Sequence, residues 1–282
     1  MNRASDFEWI KSRSNPTLVT LSKLKDAKYR RREGLYLAEG IKLAEEALPY
    51  ASVAYALLTE EAMEAGGKAC QIALEAREKG ARLVVLSREA FEKVSTEMAP
   101  QGVVFVLRED SDRHETVATG TEREAATRWR RERLLFLSDV RDPGNLGTVL
   151  RSSAALGVTR ILLSGCADIY NPKTVRASMG ALFRMPLALV EDPTEMIRAL
   201  QLEGRRVLAA ALSGDALTLG AYETEPSDVP VIGNEGHGLS DAILSAVDNF
   251  VKIPMVPGTE SLNAAVASAV ILWEYFRGDG RT

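Results

Sequence analysis

The chain has 282 residues, enough for one or two domains with sizeable cores. Hydrophobic content of 46% and charged content of 26% are those of a globular protein, and the formal net charge of -4 excludes a molecule that binds nucleic acid by bulk charge. Cys70 and Cys166 form no disulfide framework, and with His114 and His237 they complete no metal motif.

The opening MNRASDFEWIKSRSNP lacks the apolar core of a signal peptide, and no uninterrupted run of about 18 apolar residues follows, so a cytoplasmic location is expected. Charge is uneven along the chain. Residues 1–45 hold ten Lys/Arg against six Asp/Glu, a basic segment on an acidic chain, which suits a local anionic partner or a solvated face. Residues 34–38, 53–59, 81–87 and 102–108 read as strands, and an amphipathic helix follows the first of them. Residues 111–133 are polar and highly charged, as a linker would be, and the good helix formers of EREAATRWRRER (122–133) suit a short helix at its end. From 134 onward, short apolar runs alternate with helical patterns, the signature of α/β architecture with a largely parallel sheet. Pro193 after Asp192 marks one helix start. The organisation expected is an N-terminal domain over 1–110, a linker over 111–133 and a second domain over 134–282.

Three stretches of the second domain draw attention. DVRDPGNLGTVLRSSAALG (139–157) passes from turn chemistry into a helix that Asn145 can cap. With residues about 100° apart, Leu146, Val149, Leu150, Ser153 and Leu156 share a core-facing stripe. Arg151 falls opposite, among the small residues Gly147, Ala154 and Ala155. It is either an ordinary exposed helix arginine or one that faces a ligand or another chain.

VIGNEGHGLS (231–240) follows a strand and is rich in glycine, which lets backbone approach a flat ligand closely. Its spacing is neither the dinucleotide fingerprint nor a phosphate-binding loop. It is equally readable as a glycine turn with a helix cap. Glu235 within it suits a cation, an arginine or water. IPMVPGTESLNAAVASAVILWEYF (253–276) opens with a stiff Pro/Gly loop and continues as a helix to about Phe276, capped by Ser261. That helix is apolar or small over most of its circumference, so it packs on its own core or on a partner subunit. No Ser-His-Asp or Cys-His constellation is present, and both histidines read as solvated.

Together these stretches resemble the motifs of the SpoU (TrmH-type) RNA 2'-O-ribose methyltransferases of the SPOUT superfamily, in the same order and spacing over roughly 134–276. Asn145 and Arg151 match the signature positions of the first motif, Glu235 the acidic position of the second, and Ser261, Leu262 and Asn263 the Ser-Leu-Asn of the third. KYRRREGLYLAEGIKLAEEAL (28–48) and APQGVVFVL (99–107) resemble the accessory domain that many members carry, a small α/β fold akin to ribosomal RNA-binding proteins.

The resemblance implies a C-terminal parallel sheet with a deep trefoil knot and a smaller N-terminal α/β RNA-binding domain. It implies S-adenosyl-L-methionine as cofactor, held by Gly233, Asn234, Gly236, Gly238, Ile253, Met255, Ser261 and Leu262. It implies a homodimer through the C-terminal domain, with no metal and no membrane. Arg151 would stand by the ribose hydroxyl and its phosphate, Asn145 would orient it or the substrate, Glu235 would aim it, and Ser261 and Asn263 would contact the reacting groups. Lys28, Arg30, Arg31 and Arg32 would grip RNA phosphates, while Tyr29 and Tyr36 would stack on bases. Ribosomal RNA is favoured over transfer RNA as substrate. The competing reading is an inactive RNA-binding protein of the same fold.

Overall fold

Two sheets organise the chain. In the computed structural model, which describes residues 7–211, 215–234, 236–256 and 261–277, they belong to two units. One comprises Met1–Asp110 with Asp168–Arg184, the other Ser111–Ala167 with Met185–Thr282.

The first unit has strands β1 (Glu8–Ile10), β2 (Leu35–Glu39), β3 (Val53–Thr59), β4 (Arg82–Leu86) and β5 (Val103–Arg108) in the order β1-β4-β3-β5-β2. β5 is antiparallel to both β2 and β3, and the other pairings are parallel. Leu18, Leu24, Leu37, Leu57, Val84 and Phe91 fill one face of the sheet. The Asp168–Arg184 excursion completes this unit, although its sequence lies within the stretch expected to form the second domain. It carries Ile169, Val175, Leu182 and Phe183 into burial. The Tyr170 ring sits 4.5 Å from that of Tyr36.

The second unit is built on β6 (His114–Val117), β7 (Leu134–Ser138), β8 (Arg160–Ser164), β9 (Leu187–Val190), β10 (Val207–Ala210), β11 (Leu217–Thr218), β12 (Val229–Ile232) and β13 (Asn249–Lys252). Their order is β11-β13-β10-β12-β7-β8-β9-β6, and every pairing is parallel. β7 and β12 are buried at every residue, which is why they read as unbroken apolar runs rather than alternating ones.

The linker expected at 111–133 is not one. β6 joins the sheet beside β9, and a helix over Glu122–Arg128 packs with Trp129 into the core. Its charges concealed this by pairing with the sheet: Arg160 of β8 bonds Glu115 at 2.8 Å and Glu132 at 3.0 Å, above the Trp129 ring. His114, expected in solvent, is buried on β6.

Candidate active site

The three singled-out stretches all leave the sheet at strand ends, where ligands bind in parallel α/β folds. The first follows β7. Its helix spans Pro143–Leu156, and the cap is Asp142 rather than Asn145. The Asp142 carboxylate accepts the Asn145 N–H at 2.8 Å, and Pro143 pre-sets the first turn. Asn145 therefore sits inside the first turn with its side chain released from capping. Leu146, Val149, Leu150 and Ser153 are buried as the stripe requires, Leu156 is half-buried, and Arg151 is exposed. Arg151 has no hydrogen-bond or ion-pair partner among the described residues. Glu235, expected to aim it, lies outside the described residues.

The last helix, Ala264–Phe276, packs against the Pro143–Leu156 helix. Asn263 is its cap, not Ser261. The Asn263 Oδ1 accepts the N–H groups of Ala265 at 2.9 Å and Val266 at 3.3 Å, because an amide two residues nearer the helix than Ser261 reaches both. Capping consumes the oxygen and turns the amide nitrogen outward. The Asn263 Nδ2 donates to the Asn145 Oδ1 at 3.0 Å, so one hydrogen bond joins the first and third motifs.

The second stretch forms a tight loop after β12. Asn234 and Gly238 exchange backbone hydrogen bonds of 3.0 Å in both directions. The Asn234 Oδ1 accepts from the N–H of Gly236 at 2.8 Å and of His237 at 3.2 Å. Gly233 is dictated by packing, since a Cβ there would lie 2.6 Å from the Gly238 carbonyl oxygen. His237 is exposed, as expected.

Beside this loop lies a cavity of about 610 Å³, within the range of small-molecule and cofactor sites. Gly233, Asn234, Gly236 and Gly238 line one wall, and Ile253, Met255, Ser261 and Leu262 line another. All eight residues assigned to the cofactor from sequence thus meet at one cavity. Leu244, Val251 and Ile271 add apolar surface from three further elements. Backbone donors and acceptors beside aliphatic walls suit a flat heteroaromatic group such as adenine. Among the described residues, no group of His, Cys, Asp and Glu could hold a metal ion, and no helix is long and apolar enough to cross a membrane.

Sequence reasoning passed over Asp139. It is one of two non-glycine residues with positive φ among the described residues, at 58°, and its carbonyl accepts the Asn234 Nδ2 at 2.9 Å. An aspartate in the left-handed region cannot be read from composition or periodicity. Cys166, half-buried, lies near this corner, and desolvation pushes its thiol up to about 12.

In the first unit the basic segment divides. Lys28, Arg31 and Arg32 are exposed on the Ala27–Glu33 helix. Arg32 pairs with Glu33 at 2.7 Å and lies over the Tyr29 ring at 4.8 Å. Arg30 is not available to RNA, contrary to expectation. It is 2% exposed, donates twice to Asp168 and donates to the carbonyls of Leu24 and Lys25 at 2.8 Å. One position in this short helix must face the core, and four charge-assisted bonds satisfy the cation there. Tyr36 is likewise buried against Tyr170, so it cannot stack on bases.

Comparison with known proteins agrees with this geometry. Residues 132–273 match the SpoU rRNA Methylase family, and residues 15–104 match the MRM3-like substrate binding domain. The 23S rRNA (guanosine(2553)-2'-O)-methyltransferase RlmP of Bacillus subtilis (strain 168) is 29% identical, covering 95% of this chain and 99% of its own. The AdoMet-bound rRNA methyltransferase of Sinorhizobium meliloti superposes with a TM-score of 0.81 at 25% identity, covering 98% of this chain and 100% of its own. The SpoU methyltransferase AviRb of Streptomyces viridochromogenes, in complex with AdoMet, superposes at 0.77 with 26% identity over 94% of this chain and 98% of its own. The all-parallel sheet of the second unit is the one typical of knotted SPOUT methyltransferases. With that sheet, that cavity and that family match, the chain belongs to the SpoU rRNA methylase family.

Proposed function

We propose that this protein transfers a methyl group from S-adenosylmethionine to a ribose 2'-hydroxyl of ribosomal RNA, and that it does so in the cytoplasm as a homodimer. One observation carries the reading. Residues from stretches far apart in sequence converge on a single cavity, and the Asn145–Asn263 bond ties the helix that carries Arg151 to the last helix, which lines that cavity.

The cofactor, when bound, supplies an electrophilic sulfonium methyl group. The protein's own part is to hold the hydroxyl and the adjacent phosphate. Arg151 serves as the positioning and electrostatic group, since guanidinium groups keep their proton in proteins and are poor bases. Its exposure beside the small residues Ala154 and Ala155 gives RNA room to approach, while Gly147, expected to share that face, is buried. Asn145 and Asn263 orient the reacting groups, and Glu235 aims Arg151. Lys28, Arg31 and Arg32 remain as phosphate contacts of the N-terminal unit.

The dimer is supported by Val266, Val270 and Trp273, which are 50%, 38% and 59% exposed. They recur at helical spacing on Ala264–Phe276, an apolar stripe that a second copy would cover. Trp273→Arg should shift the protein from dimer to monomer in sedimentation experiments; an unchanged dimer would place the interface elsewhere.

The choice of RNA is tested by supplying labelled cofactor with total RNA, then separating ribosomal from transfer pools. Ribosomal RNA relatives and the substrate-domain match support label in the ribosomal pool. Label confined to transfer RNA would reject that substrate, and cofactor-independent RNA binding without transfer would favour an inactive binding protein.

A further inference from the structure

We propose that Asp139 is a positioning residue for the cofactor cavity, acting through Asn234; this rests on the reading of the cavity given above. Asp139 stands at the end of β7 with φ 58°. The other left-handed non-glycine residue among the described residues, Met179, closes a helix, where that conformation is common. Asp139 closes no helix, so its conformation has to be held by its surroundings.

Three contacts hold it. Its N–H donates to the Ser164 carbonyl at 2.8 Å. Its carbonyl accepts the Asn234 Nδ2 at 2.9 Å. Its Oδ1 occupies the space where a Cβ on Gly165 would stand, at 2.5 Å, and takes the Arg141 Nη2 at 3.0 Å. Position 165 favours glycine through its own φ of +65°, and a Cβ there would also displace the Asp139 carboxylate.

The consequence lies at Asn234. With its nitrogen committed to Asp139, the amide presents its oxygen to the N–H groups of Gly236 and His237. Those bonds shape the turn that walls the cavity. The first motif thus sets the form of the second through one backbone carbonyl, and the left-handed aspartate aims that carbonyl.

The test uses the full-length protein and four variants: Asp139→Val, Asp139→Gly, Asn234→Ala and the double variant Asp139→Val/Asn234→Ala. S-adenosylmethionine affinity is read by calorimetry, and amide exchange at Gly236 and His237 is read without cofactor. A β-branched residue resists positive φ, so Asp139→Val should weaken cofactor binding about tenfold and expose both amides. Glycine accepts positive φ, so Asp139→Gly should stay within about twofold of wild type. Asn234→Ala should match the valine variant, and the double variant should be no worse than either alone. At saturating cofactor, kcat should change far less than the cofactor KM.

Wild-type affinity and exchange in Asp139→Val would overturn the proposal. So would an equal loss in Asp139→Gly, which would assign the effect to the carboxylate, or additive losses in the double variant. If Asp139→Val does not fold, Asn234→Ala decides, and wild-type exchange in it rejects the coupling. If the wild-type protein binds no S-adenosylmethionine, the functional reading fails, while the exchange data still judge the Asp139–Asn234 link.

Discussion

The parallel-sheet unit holds its candidate chemistry in loops that leave strand ends, and the mixed-sheet unit holds its candidate RNA contacts on one short helix. In the loops, residue types answer to local geometry. Gly233 is there because a Cβ would strike the Gly238 carbonyl, and Asn263 because it caps one helix and bonds Asn145 in the first turn of another. On the Ala27–Glu33 helix, residue type answers to charge alone until packing divides it. Arg30 turns inward to Asp168 while Arg31 and Arg32 stay outside. Motif residues constrained by shape announce their partners; cations constrained only by sign do not.

The sharpest way to break this contrast is at Arg151. Arg151→Ala should lower the transfer rate by about 10²–10³-fold, the usual loss on removing a group that stabilises developing charge. Cofactor affinity in that variant should change little, as measured by calorimetry. Full activity would remove Arg151 from the reaction.

Arg30 and Arg31 test the other half. Arg30→Ala strips Asp168 of its partner and two buried carbonyls of their donors, and should destabilise the first unit by about 3 kcal/mol in denaturant unfolding. Arg31→Ala should alter stability by less than about 0.5 kcal/mol. It should instead weaken RNA binding and reduce the salt slope of binding by about one. The reverse pattern would erase the distinction drawn between them.

The smallest effect concerns pH. Partial burial lifts the Glu109 carboxyl above its ordinary 4.5, with nearby Asp168 adding to the rise and Arg30 and Arg31 opposing it, but the residue is exposed and solvent screens most of the effect. The folded state therefore holds this proton to higher pH than the unfolded chain does. Its stabilising contribution is present at low pH and lost as pH rises through the range above 4.5. Glu109→Gln should raise the thermal midpoint at pH 7, and the gain should vanish below about pH 4. A gain independent of pH would locate the effect in packing instead.

Much of the candidate site was legible from three short stretches, because turns, glycines and helix caps are local decisions. The parallel sheet was legible too, since strands buried on both faces, such as β7, leave uninterrupted apolar runs. The linker misreading shows the limit. The charges of residues 111–133 pair across β6 and β8, and of the segment's apolar residues Val117, Ala125, Ala126 and Trp129 join the core. Four apolar residues spread over thirteen positions do not register as a pattern. The cap assignments missed by a few residues for a related reason: Asp142 and Asn145, or Ser261 and Asn263, are all good capping residues, and packing selects between them. The membership of Asp168–Arg184 in the first unit depends on partners as distant in sequence as Arg30 and Tyr36, which no local reading reaches.

The central claim is methyl transfer to a ribose hydroxyl. The direct measurement is incubation of the wild-type protein with labelled S-adenosylmethionine and unmodified ribosomal RNA, followed by digestion to nucleosides. A single labelled 2'-O-methyl nucleoside is the predicted result. Label on a base, or cofactor binding with no transfer to any RNA offered, assembly intermediates included, would contradict the account.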